Sequence, residues 1–149
     1  MPAVSEPGLP HTWRPLGVRL AGLIFGGALL VVCAFAWVAF DDETREAFSP
    51  FQRGTIVALG LLLYGAGYAL ARSRVLAEST RLVVVNGYRR REYVWAEVLA
   101  VHLAPGAPWA VLDLADGTSQ PAMGIQGSDG ARAQRAVAEL RLLLERSPG

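Results

Sequence analysis

Residues 20–40 (LAGLIFGGALLVVCAFAWVAF) are 21 consecutive residues without a charge, and residues 54–71 (GTIVALGLLLYGAGYALA) add 18 more. At about 1.5 Å of rise per residue, helices of these lengths measure roughly 31 and 27 Å, close to the roughly 30 Å hydrocarbon core of a bilayer. Neither stretch has the polar face that a buried helix of a soluble protein shows at a 3.6-residue period. The sequence therefore predicts a hairpin of two membrane-spanning helices.

The charges that flank the two stretches predict which way the hairpin points. Arg14 and Arg19 precede the first stretch and Arg72 and Arg74 follow the second, whereas residues 41–53 are dominated by acidic side chains. Because Lys and Arg are enriched in cytoplasmic loops, both termini are expected in the cytoplasm. The predicted location is a cell membrane, crossed twice.

The chain divides into six predicted segments. They are a flexible cytoplasmic tail (1–15), a first transmembrane helix (16–40), an extracytoplasmic loop (41–53), a second transmembrane helix (54–71), a cytoplasmic domain (72–146) and a short tail (147–149). The tail prediction rests on its prolines and its lack of periodicity. A secretory signal peptide is the alternative, because residues 34–36 (AFA) resemble a cleavage site, but the apolar run continues past them. Whether or not the first apolar stretch is cleaved, the C-terminal half is expected in the cytoplasm.

Small residues recur four apart within both apolar stretches. Gly22 and Gly26 do so in the first, and Gly65 and Ala69 in the second. This spacing lets helix backbones approach closely, so it predicts packing between the two helices of one chain or between two copies in a homo-oligomer. The alternative is that Gly and Ala are simply common in membrane helices.

After residue 74 the pattern changes to short, strand-sized pieces. Asn86-Gly87 separates the β-branched residues 81–85 (RLVVV) from residues 88–95 (YRRREYVW). This dipeptide predicts a hairpin, because both central residues of a type I′ turn have positive φ.

Further strands are predicted downstream. Residues 99–103 (LAVHL) alternate, with the leucines and the valine toward the core and His102 away from it. Residues 109–114 form the next strand, and an Asp-Gly turn joins it to residues 118–123. Pro121 predicts that this last strand is an edge strand or contains a bulge.

The last predicted element is an amphipathic helix. Its apolar positions recur at i, i+4, i+7 and i+11, namely Ala133, Val137, Leu140 and Leu144. Ser128 or Asp129 is expected to cap it. The apolar face is expected to pack over an open end of the sheet, and a helix lying on the membrane surface is the alternative.

Three stretches carry a family resemblance: VVVNGYRRREYVWAEV, PWAVLDLADGT and MGIQGSDGARAQRAV. They resemble the small bacterial PH-like domain of actinobacterial membrane proteins related to low-molecular-weight protein antigen 6, over residues 72–146, and the preceding hairpin is similar to that family's layout. The resemblance implies a membrane α-helical hairpin plus an α+β PH-like domain. That domain is a bent antiparallel sheet or partly open barrel with a C-terminal capping helix. It implies no enzyme activity.

The candidate binding residues are mainly basic. Strand alternation places Arg89 and Arg91 on one face and Arg90 on the other. In a domain directly under a bilayer, such residues would meet anionic headgroups. The alternative is a solvated strand whose charges pair with Glu92 or Glu97.

Two other residues join this tentative lipid- or partner-binding set. Arg74 lies close to the arginine run in sequence, and Trp109 follows Pro108 and is a candidate hot spot for binding. Eukaryotic PH domains bind phosphoinositides with a basic loop between their first two strands. Residues 78–81 (ESTR), taken as the matching loop, hold one Arg, which argues against phosphoinositide recognition.

No catalytic, metal or cofactor site is predicted. His102 has no nucleophile or acidic partner at a recognisable spacing. With one Cys inside the first apolar stretch and two separated His, no metal-ligand set is apparent. Residues 124–130 (GIQGSDG) lack the lysine of a phosphate loop and are expected to form a capping turn. The net charge of +1 gives no global attraction for nucleic acid.

Two classes of function remain open. The first is a non-enzymatic, membrane-anchored interaction or scaffold module that faces the cytoplasm. The second is an anionic-lipid sensor that docks its basic strand on the inner leaflet. A subunit that stabilises a larger membrane complex is a weaker third. The expected partners are the lipid bilayer and an unidentified cytoplasmic or membrane protein, with a homo-oligomer possible and no nucleic acid.

Overall fold

The computed structural model describes residues 7–147. In chain order the elements are β1 (His11–Trp13), α1 (Gly17–Ala39), α2 (Asp42–Ala47), α3 (Pro50–Arg72), β2 (Arg74–Ala77), β3 (Arg81–Asn86), β4 (Arg89–Val94), β5 (Val98–His102), β6 (Trp109–Leu114), β7 (Ser119–Gln126) and α4 (Ala131–Arg146). Short 3₁₀ turns, Trp95–Glu97 and Gly127–Asp129, precede β5 and α4. The predicted fold class, two long apolar helices plus an α+β PH-like domain, is confirmed.

Helices α1 and α3 are each 23 residues long and apolar enough to cross a membrane by length and composition. None of their described residues is buried within the protein. Helix α3 begins before the predicted residue 54, because Ser49 and Gln52 form a capping box and Pro50 takes the first turn. The expected loop, residues 41–53, therefore contains α2 and the first turn of α3.

Strand β1 corrects the prediction of an unstructured tail. His11–Trp13 pairs antiparallel with β2, with Trp13 opposite Val75. Trp13 is 7% exposed and belongs to the hydrophobic core. The tail prediction missed this strand because pairing with a segment about 60 residues away leaves no local pattern. The rest of the predicted tail, residues 1–6, lies outside the described residues.

The described strands form two antiparallel sheets, β1-β2-β3-β4 and β5-β6-β7. The two sheets share one core, and α4 packs on it with Ala133, Ala136, Val137, Leu140 and Leu143 buried. Leu144 is partly buried against the same core, so the predicted apolar face of the helix is confirmed. Strands β4 and β5 are edge strands that do not pair with each other, so the sheet is not closed.

Two contacts join the sheets where β7 crosses β2 and β3. An added Cβ at Gly124 would lie 2.5 Å from the backbone carbon of Arg74, so the two backbones touch at this glycine. The Asn86 amide donates to the Pro121 carbonyl and accepts from the Met123 N–H. As predicted for a strand that contains Pro121, β7 lies at an edge of its sheet.

The predicted Asn-Gly hairpin is present with a different turn. Asn86 pairs with Arg89, so Gly87 and Tyr88 are the central residues. Only Gly87 has a positive φ, 60°, which is the type II′ pattern in which glycine comes first. The predicted Asp-Gly turn before β7 is confirmed, with Gly117 at a φ of 82°.

A bulge in β5 corrects the predicted alternation. The register shifts between Val98 and Ala100, so Val98 and Val101 are buried while Leu99 is 66% exposed. His102 points away from the core, as predicted. Trp95, expected at the end of a strand, lies instead in a 3₁₀ turn, where it is buried and its indole donates to the Glu78 carbonyl.

Candidate functional site

The tip of the β3–β4 hairpin packs on the last turns of α3. The Tyr88 hydroxyl donates to the Gly65 carbonyl at 2.9 Å, and the Gly87 N–H donates to the Ser73 hydroxyl at 2.9 Å. An added Cβ on Gly87 would lie 3.4 Å from the Cβ of Ala69. The small residues Gly65 and Ala69 therefore make room for the hairpin tip.

Gly22 and Gly26 of α1 make no comparable close contact. An added Cβ on Gly22 or Gly26 would meet nothing within 4 Å. The contact between α1 and α3 within this chain therefore does not depend on these glycines, contrary to one of the two expectations. The other expectation, that they pack two copies together, stays a prediction.

Asp129 joins the domain to the start of α1. Its carboxylate accepts from the Leu16 N–H at 2.9 Å and from the Gly17 N–H at 2.7 Å. The first N–H groups of a helix need such an acceptor, and Leu16 at the N-cap supplies none. The prediction that Ser128 or Asp129 caps α4 is wrong, since α4 has no side-chain cap and Asp129 is used by α1.

A second link runs between the two helix ends that meet the domain. The Arg19 Nε donates to the Ala71 carbonyl at 2.9 Å, so the start of α1 is tied to the end of α3. Together with the Asp129 and Tyr88 contacts, this bond connects both ends of the helical hairpin to one face of the domain.

The arginine run of β4 separates into two faces, as predicted. Arg90 lies opposite Val85, whereas Arg91 lies opposite Val84. Arg90 forms an ion pair with Glu92 at 2.6 Å, and Glu92 also accepts from Arg81 at 2.7 Å. The alternative of internal pairing therefore holds for the Arg90 face.

Arg81 is the centre of this ion-pair network. Its Nε bonds to a Glu78 carboxylate oxygen at 2.6 Å, while its Nη1 bonds to Glu92. Hydrogen bonding and charge attraction from Glu78, with a further contribution from Glu92, raise the pKa of Arg81 above its usual value. These carboxylates offset the basic charge on the face of Arg90. The arginines of β4 that remain available to an anionic ligand are therefore those on the opposite face.

Arg89 and Arg91 are exposed, and within residues 7–147 neither takes part in an ion pair. Arg89 follows Tyr88 directly and therefore lies beside the end of α3. There the Arg72 guanidinium lies 5.3 Å from the Tyr88 ring centroid and 5.9 Å from that of Tyr68. The hairpin tip thus combines basic and aromatic side chains, the composition of a membrane-interface anchor.

The other two predicted binding residues are not part of this group. Arg74 is half-buried in β2 opposite Val85, on the face that also carries Arg90. Trp109 is half-buried at the start of β6, in the second sheet, opposite Gln126. The structure therefore brings Arg89 and Arg91 together and separates Arg74 and Trp109 from them.

The comparison with phosphoinositide-binding PH domains also needs correction. The first two strands of this domain are β1 and β2, so residues 14–73, which include both long helices, connect them. Residues 78–80 connect β2 to β3, so residues 78–81 do not lie between the first two strands.

His102 has a partner that sequence reasoning missed. Its Nδ1 lies 3.3 Å from a carboxylate oxygen of Asp113, and the Ser119 hydroxyl donates to the other oxygen at 2.9 Å. The only available signal was that these residues lie on neighbouring strands. Because the carboxylate lies between the serine and the histidine, the histidine is not placed to deprotonate the serine, as a catalytic triad requires.

Among residues 7–147, no group of three or more His, Cys, Asp or Glu side chains is placed to hold a metal ion. Cys33 lies exposed on α1.

Two antiparallel sheets that share a core with a C-terminal helix define a PH-type domain, here joined to a hairpin of long apolar helices. The family model described as Bacterial PH domain matches residues 72–143. Uncharacterized protein Rv1417 of Mycobacterium tuberculosis and uncharacterized protein Mb1452 of Mycobacterium bovis are each 35% identical over 142 residues, 92% of this chain and 86% of theirs. The chain therefore belongs to the bacterial PH domain family. No solved structure matches it.

Proposed function

We propose that the protein is a non-enzymatic, membrane-anchored PH module that faces the cytoplasm and presents a free sheet edge to a protein partner. The observation that carries this proposal is the way the helices join the domain. Strand β1 precedes α1 and β2 follows α3, so both ends of the hairpin enter one folded unit. A hairpin anchored in this way holds the domain at a fixed place beside the membrane.

The cytoplasmic orientation is supported by charge. Four arginines, Arg14, Arg19, Arg72 and Arg74, lie at the domain end of the helices, whereas acidic residues dominate the opposite end. The positive-inside rule assigns the arginine-rich end to the cytoplasm. A relationship to low-molecular-weight protein antigen 6 is part of this proposal and rests on the sequence resemblance.

The proposed partner surface lies at the far end of the open sheet. In residues 73–147 the exposed large hydrophobic side chains are Tyr88, Val94 and Leu99. Val94 ends β4 and is 54% exposed, and Leu99 lies in the bulge of β5. At roughly 3.3 Å per residue, Val94 is about 20 Å from Tyr88, which packs on α3. Two unpaired strand edges that each carry an exposed apolar side chain are suited to adding a strand from another protein.

A photo-crosslinking residue at Leu99 is expected to capture one defined cytoplasmic protein in living cells. Val94→Asp is expected to reduce that capture about tenfold or more, because it places a charge in the apolar centre of the contact. The fold should be unaffected, since Val94 is exposed. The same crosslinker at Asp116, in the exposed turn before β7, is the matched control. Capture of an extracytoplasmic protein would contradict the orientation, and equal capture from both positions would contradict the surface.

A second function, docking on anionic lipid, is favoured by the charge separation on β4. Arg89 and Arg91 remain available, whereas Arg90 is paired with Glu92. The available pair begins directly after Tyr88, which packs on α3. In the proposed orientation, this places the two arginines at the level of the headgroups.

Arg89→Gln with Arg91→Gln is therefore expected to weaken enrichment of anionic lipid around the full chain. At about 1 kcal/mol per basic group near the surface, the loss is roughly 30-fold. Energy transfer from the tryptophans to labelled phosphatidylglycerol or phosphatidylcholine in nanodiscs measures it. Arg90→Gln on the same strand is the matched control and should change little. An equal loss in both variants, or no salt dependence, would refute docking through this face.

A further inference from the structure

A second basic site lies between β1 and α4. A cleft of about 280 Å³ opens there, and its lining includes Arg14, Arg132 and Arg135. Arg14 directly follows β1, whereas Arg132 and Arg135 are three residues apart on α4 and so share one helix face. Three arginine residues therefore line one concavity.

The acidic side chains of the cleft already have other partners. Asp129 accepts from the N–H groups of Leu16 and Gly17. Glu139 accepts from the Trp13 indole at 2.8 Å and lies 3.9 Å from His11. Within the described part of the chain, the three arginines of the cleft form no ion pair with these carboxylates or with any other. Their donors are available to a ligand.

We infer that this cleft binds the phosphate of an anionic phospholipid headgroup. The planar fork of arginine matches phosphate oxygens in pairs, and three such groups favour a phosphate over a single carboxylate. The cleft is slightly smaller than the roughly 300–1,000 Å³ of pockets for drug-sized ligands, so it has room for a headgroup rather than a whole lipid.

The position of the cleft indicates lipid as the source of the phosphate. Asp129 forms part of its wall and also bonds to the first N–H groups of α1. The cleft thus opens where α1 leaves the domain. This step rests on the proposed function, in which α1 enters the membrane at that point and headgroups surround its end.

The test uses the full chain in phosphatidylcholine nanodiscs that contain phosphatidic acid, with retained lipid counted by native mass spectrometry. The chain is expected to retain phosphatidic acid. Arg132→Gln with Arg135→Gln should weaken retention about 30-fold, since each basic group near the surface contributes about 1 kcal/mol, or about fivefold. Arg14→Gln, on the other wall, should weaken it about fivefold and gives an independent variant if the double variant unfolds.

The control separates this cleft from the basic strand. Arg89→Gln with Arg91→Gln should leave retention in the cleft unchanged, even if enrichment of bulk anionic lipid falls. Unaltered retention in both cleft variants would overturn the inference, whatever the strand variant does. Displacement of the lipid by millimolar inorganic phosphate would also overturn it, because the cleft would then select a soluble phosphate.

Discussion

Trp13→Ala is expected to destabilise the domain by about 3–5 kcal/mol, the range for removing a buried tryptophan. Trp13 is 7% exposed and packs in the core shared by both sheets and α4. Its indole also donates to Glu139, so the substitution removes a hydrogen bond between β1 and α4. Chemical unfolding of the full chain in detergent, followed by the fluorescence of the remaining tryptophans, measures the change.

Thr12→Ala is the matched control, because Thr12 is exposed and occupies the same short strand. It should cost less than about 0.5 kcal/mol, as surface substitutions usually do. A loss below about 1 kcal/mol for Trp13→Ala would mean that β1 is not part of the core. The expected result also implies that a fragment that begins at Arg72 lacks an essential core side chain and is a poor substitute for the whole protein.

Gly124→Ala is expected to destabilise the protein by about 3 kcal/mol, the upper end of the usual range for overpacking. The new Cβ would lie 2.5 Å from the Arg74 carbonyl carbon and 2.5 Å from the Val75 nitrogen. These are backbone atoms of β2, which pairs with β1 on one side and β3 on the other. They cannot move away without breaking those ladders.

Unfolding in detergent again provides the measurement for Gly124→Ala, with Gly8→Ala as its counterpart. Gly8 has no atom within 4 Å of an added Cβ, so that substitution should be nearly neutral. Equal stability of both variants would show that β7 and β2 are not in contact at Gly124.

Much of the local structure was predictable because it depends on neighbours in sequence. The turns at Gly87 and Gly117 follow from glycine's access to positive φ, and both are present. Helix α4 follows from apolar residues at a 3.6-residue period, and its predicted face is buried. In the candidate site, the alternation of side chains along β4 correctly predicted that Arg89 and Arg91 lie on one face of the strand and Arg90 on the other.

The errors involve contacts between distant parts of the chain. Asp129 was expected to cap the helix beside it, but it caps α1, more than 100 residues earlier. Leu99 was expected in the core, but a bulge, which depends on pairing with β6, turns it outward. His102 appeared isolated, although its neighbour in the sheet places Asp113 beside it.

Two long apolar helices, a set of short strands and a terminal amphipathic helix can be predicted from local patterns alone, because hydrophobic periodicity and turn propensity act over a few residues. Two features emerge only when the chain folds. Strand β1, which precedes the helical hairpin, pairs with β2, which follows it. The tip of the β3–β4 hairpin and Asp129 attach the domain to the ends of the long helices. The tertiary structure also determines which arginines form ion pairs with carboxylates. Those outcomes depend on burial and pairing between segments that are distant along the chain, and a local pattern carries no record of them.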